Sequence, residues 1–259
     1  IFVDANLCLT TKRNTGGENI RTVGNGTHWD TQTIGVIPSI LKGMLELRAK
    51  YKRLLKEAKT DEEKLQYDMM QTAVKVATNA AYGYVSQKAV SGGWIDPDIG
   101  ATITYYGRQC IRTLLDKSDD AGYTALAGHT DSGYIQSPFD EIEGHLDYLN
   151  SHIQERYDLP NMEIELEAYF DYWLTAGVKN QNFGIMVWPP EKQGTLKVTG
   201  FSYKASSVSP VTKEIQGKIF QMVGTGADED EVTSFVRPIA LSVLRGERSH
   251  EELAPYGKW

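Results

Sequence analysis

Cysteine is nearly absent: of 259 residues only Cys8 and Cys110 carry thiols, and neither belongs to a C-x-x-C pair. That excludes a disulfide framework, gives no sign of a zinc site, and makes the cytoplasm the expected compartment rather than a secretory one. No apolar run approaches the roughly 20 residues of a membrane span. Residues 1–6 have neither the basic start nor the apolar centre of a signal peptide, so no membrane association or secretion is expected. Internal repeats and low-complexity tracts are missing too. What is present, 41% hydrophobic and 24% charged residues, excludes disorder, collagen and coiled coil, and is enough to bury a substantial core.

The net charge of −7 argues at first against a polyanionic partner, but it is unevenly spread. Residues 37–59 hold seven basic side chains (Lys42, Arg48, Lys50, Lys52, Arg53, Lys56, Lys59) against Glu46 and Glu57. Residues 116–171 hold fourteen acidic side chains against Lys117 and Arg156. A basic helix beside an acidic region is one way to bind a metal-complexed polyphosphate; two solvated faces of opposite sign give the same pattern.

The periodicities predict an α+β chain. Residues 10–33, rich in Gly, Asn and Thr, read as an irregular connection. Ile37, Ile40, Leu41, Met44 and Leu45 follow helical spacing and predict a helix over 37–58 with a basic polar face. Thr60 followed by Glu63 is a capping-box pattern that starts a second helix, with Gly83 as its expected stop. After a break at 91–93, a third helix is expected over 101–115. Short strands are expected over 124–127 and 133–136, flanking a polar turn at 129–132. A helix over 140–157, strands over 163–167, 183–188 and 197–204, and helices over 212–223 and 229–244 complete the reading.

Certain side chains carry chemistry. Lys75, Asn79 and Tyr82 share one helical face, and Arg48, Lys52 and Lys56 form a stripe on the preceding helix. Such stripes can neutralise a triphosphate, although most basic stripes on helices are simply solvated. Asp131 sits in the polar turn with His129, Thr130 and Ser132, where a carboxylate can hold Mg²⁺ or merely close an Asx turn.

Taken in order, these segments resemble family B DNA polymerases. Lys75 to Gly83 resembles the K-x-x-x-N-x-x-Y-G motif of the fingers, and His129 to Ser132 the D-T-D-S motif of the palm. Residues 103–109 are similar to the I-T-x-x-G-R-Q helix, residues 5–11 to the segment after the first palm motif, and Arg48 with Lys52 to R-x-x-x-K. Residues 179–184 loosely resemble K-K-x-Y, and residues 197–210 the segment that leads into the thumb. The resemblance implies a palm-entry segment at 1–34, a fingers hairpin at 35–90, palm at 91–205 and the start of a thumb at 206–259.

It further implies template-directed DNA synthesis, a nucleotidyl transfer to a primer 3′ hydroxyl, with primer-template DNA and dNTP as substrates and the cytoplasm or nucleoid as the place of work. Arg48, Lys52 and Lys75 would contact the triphosphate, Asn79 would support the nucleotide, and Tyr82 would lie under the sugar. Asp131 would ligate two Mg²⁺ ions, and Lys179, Lys197 and Lys204 would contact DNA. Departures accompany the matches. Ala127 and His129 replace an aromatic residue and an Asp, and Ala205 and Ser207 replace Arg and Asp. The D-x-x-S-L-Y-P-S motif with the other catalytic Asp has no counterpart, and Asp4 is not at its position. The expectation is therefore the C-terminal chain of a split polymerase, completed by an N-terminal chain that carries the missing carboxylate, with or without an exonuclease domain. The alternative is an inactive polymerase-like protein that binds DNA or scaffolds a replication complex.

Overall fold

The computed structural model describes residues 1–86, 95–178, 180–205 and 207–255, and divides into two compact units, Ile1–Ile164 and Glu165–Trp259. The fold is α+β. Among the described residues, no helix is long and apolar enough to cross a membrane.

In the first unit the stretch expected to be irregular contains a small antiparallel sheet. Strands β1 (Lys12–Arg13), β2 (Ile20–Thr22) and β3 (His28–Asp30) pair in the order β1-β3-β2. They are too short to show a period of two. Their nucleus is Trp29, which is fully buried and donates its indole N–H to Thr27 at 2.9 Å. Asn6 secures the exit: its amide donates to Asp30 O and Thr33 O, and its Oδ1 accepts from Gly35 N at the start of the next helix.

Helices α1 (Val36–Glu57) and α2 (Asp61–Val85) form the expected hairpin. Thr60 and Glu63 complete a reciprocal capping box, with Glu63 N donating to Thr60 Oγ1 at 3.2 Å and Glu63 Oε2 accepting from Lys59 N and Thr60 N. These two backbone N–H groups hold the Glu63 carboxyl below its usual pKa. Gly83 does not stop α2. It faces open space inside the helix, and the chain runs on to Val85, whose burial in the core outweighs a glycine's helical penalty of roughly 1 kcal/mol.

The predicted break at 91–93 lies outside the described residues. Helix α3 (Pro97–Asp120) starts earlier than expected because Asp96 caps it and Pro97 occupies its first turn. Lys12 reaches across to both Asp96 and Asp98, at 2.8 and 2.6 Å. The core of this unit gathers Leu7, Trp29, Val85, Ile99, Tyr106, Cys110, Ile153 and Leu159. Both thiols are buried, and burial pushes that of Cys110 up in pKa.

Strands β4 (Thr124–Gly128) and β5 (Gly133–Gln136) form the predicted hairpin, with a bulge between Ala125 and Ala127. The paired glycines next to its turn, Gly128 opposite Gly133, lie on α3: a Cβ at Gly133 would come within 2.6 Å of Leu114 Cδ2. After a 3-10 turn at Phe139–Glu141, α4 (Ile142–Tyr157) returns to α3, where His145 Nε2 meets Ser118 Oγ at 2.9 Å. The strand expected over 163–167 does not form. Its exposure does alternate, but Ile164 N and O bond the side chain of Asn150, and Met162 O accepts from Gln154, so side chains rather than a partner strand hold this backbone at Met162 and Ile164.

In the second unit, β6 (Tyr169–Thr175), β7 (Asn182–Trp188) and β8 (Leu196–Thr199) make an antiparallel sheet in that order. β6 escaped the sequence reading because a register shift between Phe170 and Tyr172 interrupts its alternation. β8 ends earlier than expected because Gly200 takes φ 72° against Asn180 O, a position a side chain cannot share, and a 3-10 turn at Ser202–Lys204 follows. Helices α5 (Pro210–Gly224), α6 (Glu229–Leu244) and α7 (His250–Leu253) complete it. Phe183, Val198 and Phe220 form its core, flanked by Tyr172, Phe201 and Tyr203.

Candidate functional site

The two basic stripes stand on the packed pair α1–α2. The half-buried residues of α1 that face α2 include Met44, Arg48 and Tyr51; those of α2 include Met70, Val74, Thr78 and Ala81. At 3.6 residues per turn, Lys52 and Lys56 fall about a quarter turn to one side of the α1 seam line. Lys75, Asn79 and Tyr82 fall to one side of the α2 line. Because the helices run antiparallel, these are the same flank of the hairpin. Arg48 lies at the seam itself, with its Nε buried and unbonded to any described residue. Lys52, Lys75 and Asn79 are exposed, and so is Tyr82 at 37%. Among the described residues none of these four side chains makes a hydrogen bond or ion pair. The flank is thus a cationic face with an amide and a phenol at one end.

Asp131 occupies the tip of the β4–β5 hairpin, where His129 N donates to Ser132 O at 2.7 Å. Its carboxylate is exposed and makes no bond within the described residues. His129 turns back instead, its ring 5.4 Å from that of Tyr134 in an edge-to-face contact. No group of three or more His, Cys, Asp or Glu side chains that could hold a metal exists among the described residues. Several acidic residues of 116–171 are already engaged: Asp119 accepts from Ala125 N, Asp120 pairs with Lys117, Glu141 accepts from Tyr123, and Asp158 pairs with Arg21. Asp4 is likewise occupied, accepting from Asn161 N and Nδ2. One carboxylate does not make a divalent-metal site.

The three lysines expected on DNA stand differently. Lys197 donates to Glu167 at 2.8 Å and lies 5.9 Å above the Phe170 ring, so a phosphate would compete with Glu167 for it. That hydrogen bond and charge hold the Glu167 carboxyl below its usual pKa. Lys204 closes the 3-10 turn; its side chain, and Lys179 altogether, lie outside the described residues. The sequence reading passed over Lys12 and Arg21, whose partners are remote in the chain and carry no spacing signal.

The family model described as DNA polymerase family B matches residues 3–250. The chain belongs to DNA polymerase family B. It is 26% identical over 227 residues to DNA polymerase 1 of Pyrococcus abyssi, covering 85% of this chain and 28% of that protein. It is 24% identical over 231 residues to the DNA polymerase of Thermococcus gorgonarius, covering 86% and 28%. In fold it resembles the structure of the family B DNA polymerase from the hyperthermophilic archaeon Pyrobaculum calidifontis, with a TM-score of 0.68 at 21% identity, over 97% of this chain and 32% of that one. The chain therefore spans under a third of the length of these relatives.

Proposed function

We propose that this chain supplies the fingers (35–90), most of the palm (1–34 and 91–205) and the start of the thumb (206–259) for template-directed DNA synthesis. The observation that carries the reading is the common flank of α1–α2. On this reading Arg48, at the seam, and Lys52 and Lys75, on the flank, would neutralise the phosphates of a dNTP, and the Tyr82 ring would lie under the sugar. These residues bind and orient the nucleotide; Asn79 supports the same face.

Asp131 is this chain's contribution to a divalent-metal site. When bound, Mg²⁺ supplies charge neutralisation on the phosphate oxygens. The remaining carboxylate must come from residues outside those described, which supports completion by an N-terminal polymerase chain or segment. Lys197 and Lys204 belong to the proposed primer-template surface, with Lys179 assigned to it on sequence alone.

Primer extension tests the reading with this chain alone, then with an N-terminal polymerase segment added. Extension is expected only with both. In that pair, Asp131→Asn should reduce incorporation by several orders of magnitude and His129→Ala only modestly. Equal losses would remove Asp131 from the metal. DNA binding without extension from the pair would instead favour a non-catalytic, DNA-binding role, for which Ala127, His129, Ala205 and Ser207 are the support.

A further inference from the structure

A cleft of about 470 Å³ opens in the first unit between β2, α3 and the end of α4. Its volume lies within the range of about 300–1,000 Å³ usual for small-ligand sites. None of Arg48, Lys52, Lys75, Asn79 or Tyr82 lines it. Its chemistry is that of two guanidinium groups and three phenols. Arg21 pairs through Nη2 with Asp158, while its Nη1 is buried and makes no hydrogen bond to any described residue. A buried charged donor without an acceptor is costly; the Tyr106 hydroxyl lies close to the same guanidinium, and an anion that displaced Asp158 would give the group a full charged acceptor. The Arg156 guanidinium lies 5.6 Å from the centre of the Tyr157 ring. Tyr105, Tyr106 and Tyr157 follow one another edge to face, at 5.8 and 6.3 Å between centroids. The wall is close-fitting, since a Cβ at Gly24 would come within 2.1 Å of the Tyr105 hydroxyl.

We infer that this cleft binds a nucleoside monophosphate, its phosphate on Arg21 and Arg156 and its base against the tyrosine wall. A guanidinium fork matches phosphate oxygens, and aromatic faces accept a base without regard to its sequence identity. Asp158 is the one acidic residue among the described residues lining the cleft, and it competes with such a ligand for Arg21. It is 81% exposed and closes α4 in the left-handed conformation, φ 51°, which asparagine also tolerates. The two residues therefore give opposite signs on substitution. The site is independent of the proposed polymerase reading.

Isothermal titration of the full chain with dAMP, deoxyadenosine and inorganic phosphate tests this. dAMP should bind, with deoxyadenosine and phosphate each at least about tenfold weaker. Arg21→Gln should weaken dAMP by at least about tenfold, and Asp158→Asn should tighten it severalfold by releasing the guanidinium. Arg156→Gln, an exposed position at the rim, carries the test if Arg21→Gln fails to fold, and should also weaken binding. In a Lys75→Ala background the dAMP affinity should not change. Loss of dAMP binding in that background, no binding at millimolar dAMP, or phosphate binding as tightly as dAMP would each overturn the assignment.

Discussion

Lys12 joins segments 84 positions apart. Its ammonium holds Asp96, which is buried and caps α3, and Asp98 in the first turn of that helix. Lys12→Met would leave Asp96 buried without its counter-charge. With Lys12 itself a third exposed, the expected loss is about 1–3 kcal/mol, read as a lower urea midpoint. Burial of the ammonium lowers its pKa, but hydrogen bonds and charge from Asp96 and Asp98 outweigh it and hold the group above the usual lysine value of 10.5. The raised value means that the ammonium's contribution to this tie is complete below pH 10.5 and is lost as pH rises through the higher folded value. Tyr82, near the C-terminal end of α2, bears on the proposed function. If its ring lies under the sugar, Tyr82→Ala in the completed enzyme should loosen discrimination against ribonucleotides. Competition between dNTP and ribonucleotide in primer extension reads this, and unchanged discrimination would take Tyr82 out of that role.

The α1–α2 hairpin turns on one capping box. Thr60→Ala removes the acceptor for Glu63 N and should cost about 1 kcal/mol, seen as faster amide exchange over residues 61–65. Since the Glu63 carboxyl is held below its usual pKa, its part of the cap is present above that range and is lost as pH falls through the lowered value. This box was legible in the sequence because its four residues are contiguous and their chemistry is local. So were the spans of α1, α6 and the β4–β5 hairpin, where periodicity and turn residues agree. The Trp29 sheet was not legible, because its strands of two and three residues are set by one buried indole rather than by a repeat. Residues 163–167 misled in the opposite way, for their alternation is real but Asn150 takes the place of a strand. The candidate site divides in the same manner. Lys75, Asn79 and Tyr82 could be grouped by spacing along one helix, whereas the pairing of Lys197 with Glu167 depends on a fold that spacing does not describe.

Among the described residues there are two hydrophobic cores, one around Trp29 and Ile99, the other around Phe183 and Phe220. Damage to one should therefore stay local. Phe220 is 7% exposed, and Phe220→Ala should cost the second unit about 3–5 kcal/mol. Hydrogen exchange should then quicken over residues 182–199 and 210–224 while residues 105–115 keep their protection; equal acceleration in both regions would mean that the cores unfold together. The same packing has a consequence for experiment. Cys8 and Cys110, the sequence's only thiols, are 0% and 2% exposed, so thiol-reactive dyes have no native target on the folded surface. Lys59→Cys, at the exposed turn between α1 and α2, would offer a single labelling position without a cysteine-free background. A fluorophore there would report directly on whether the hairpin swings when a dNTP is added.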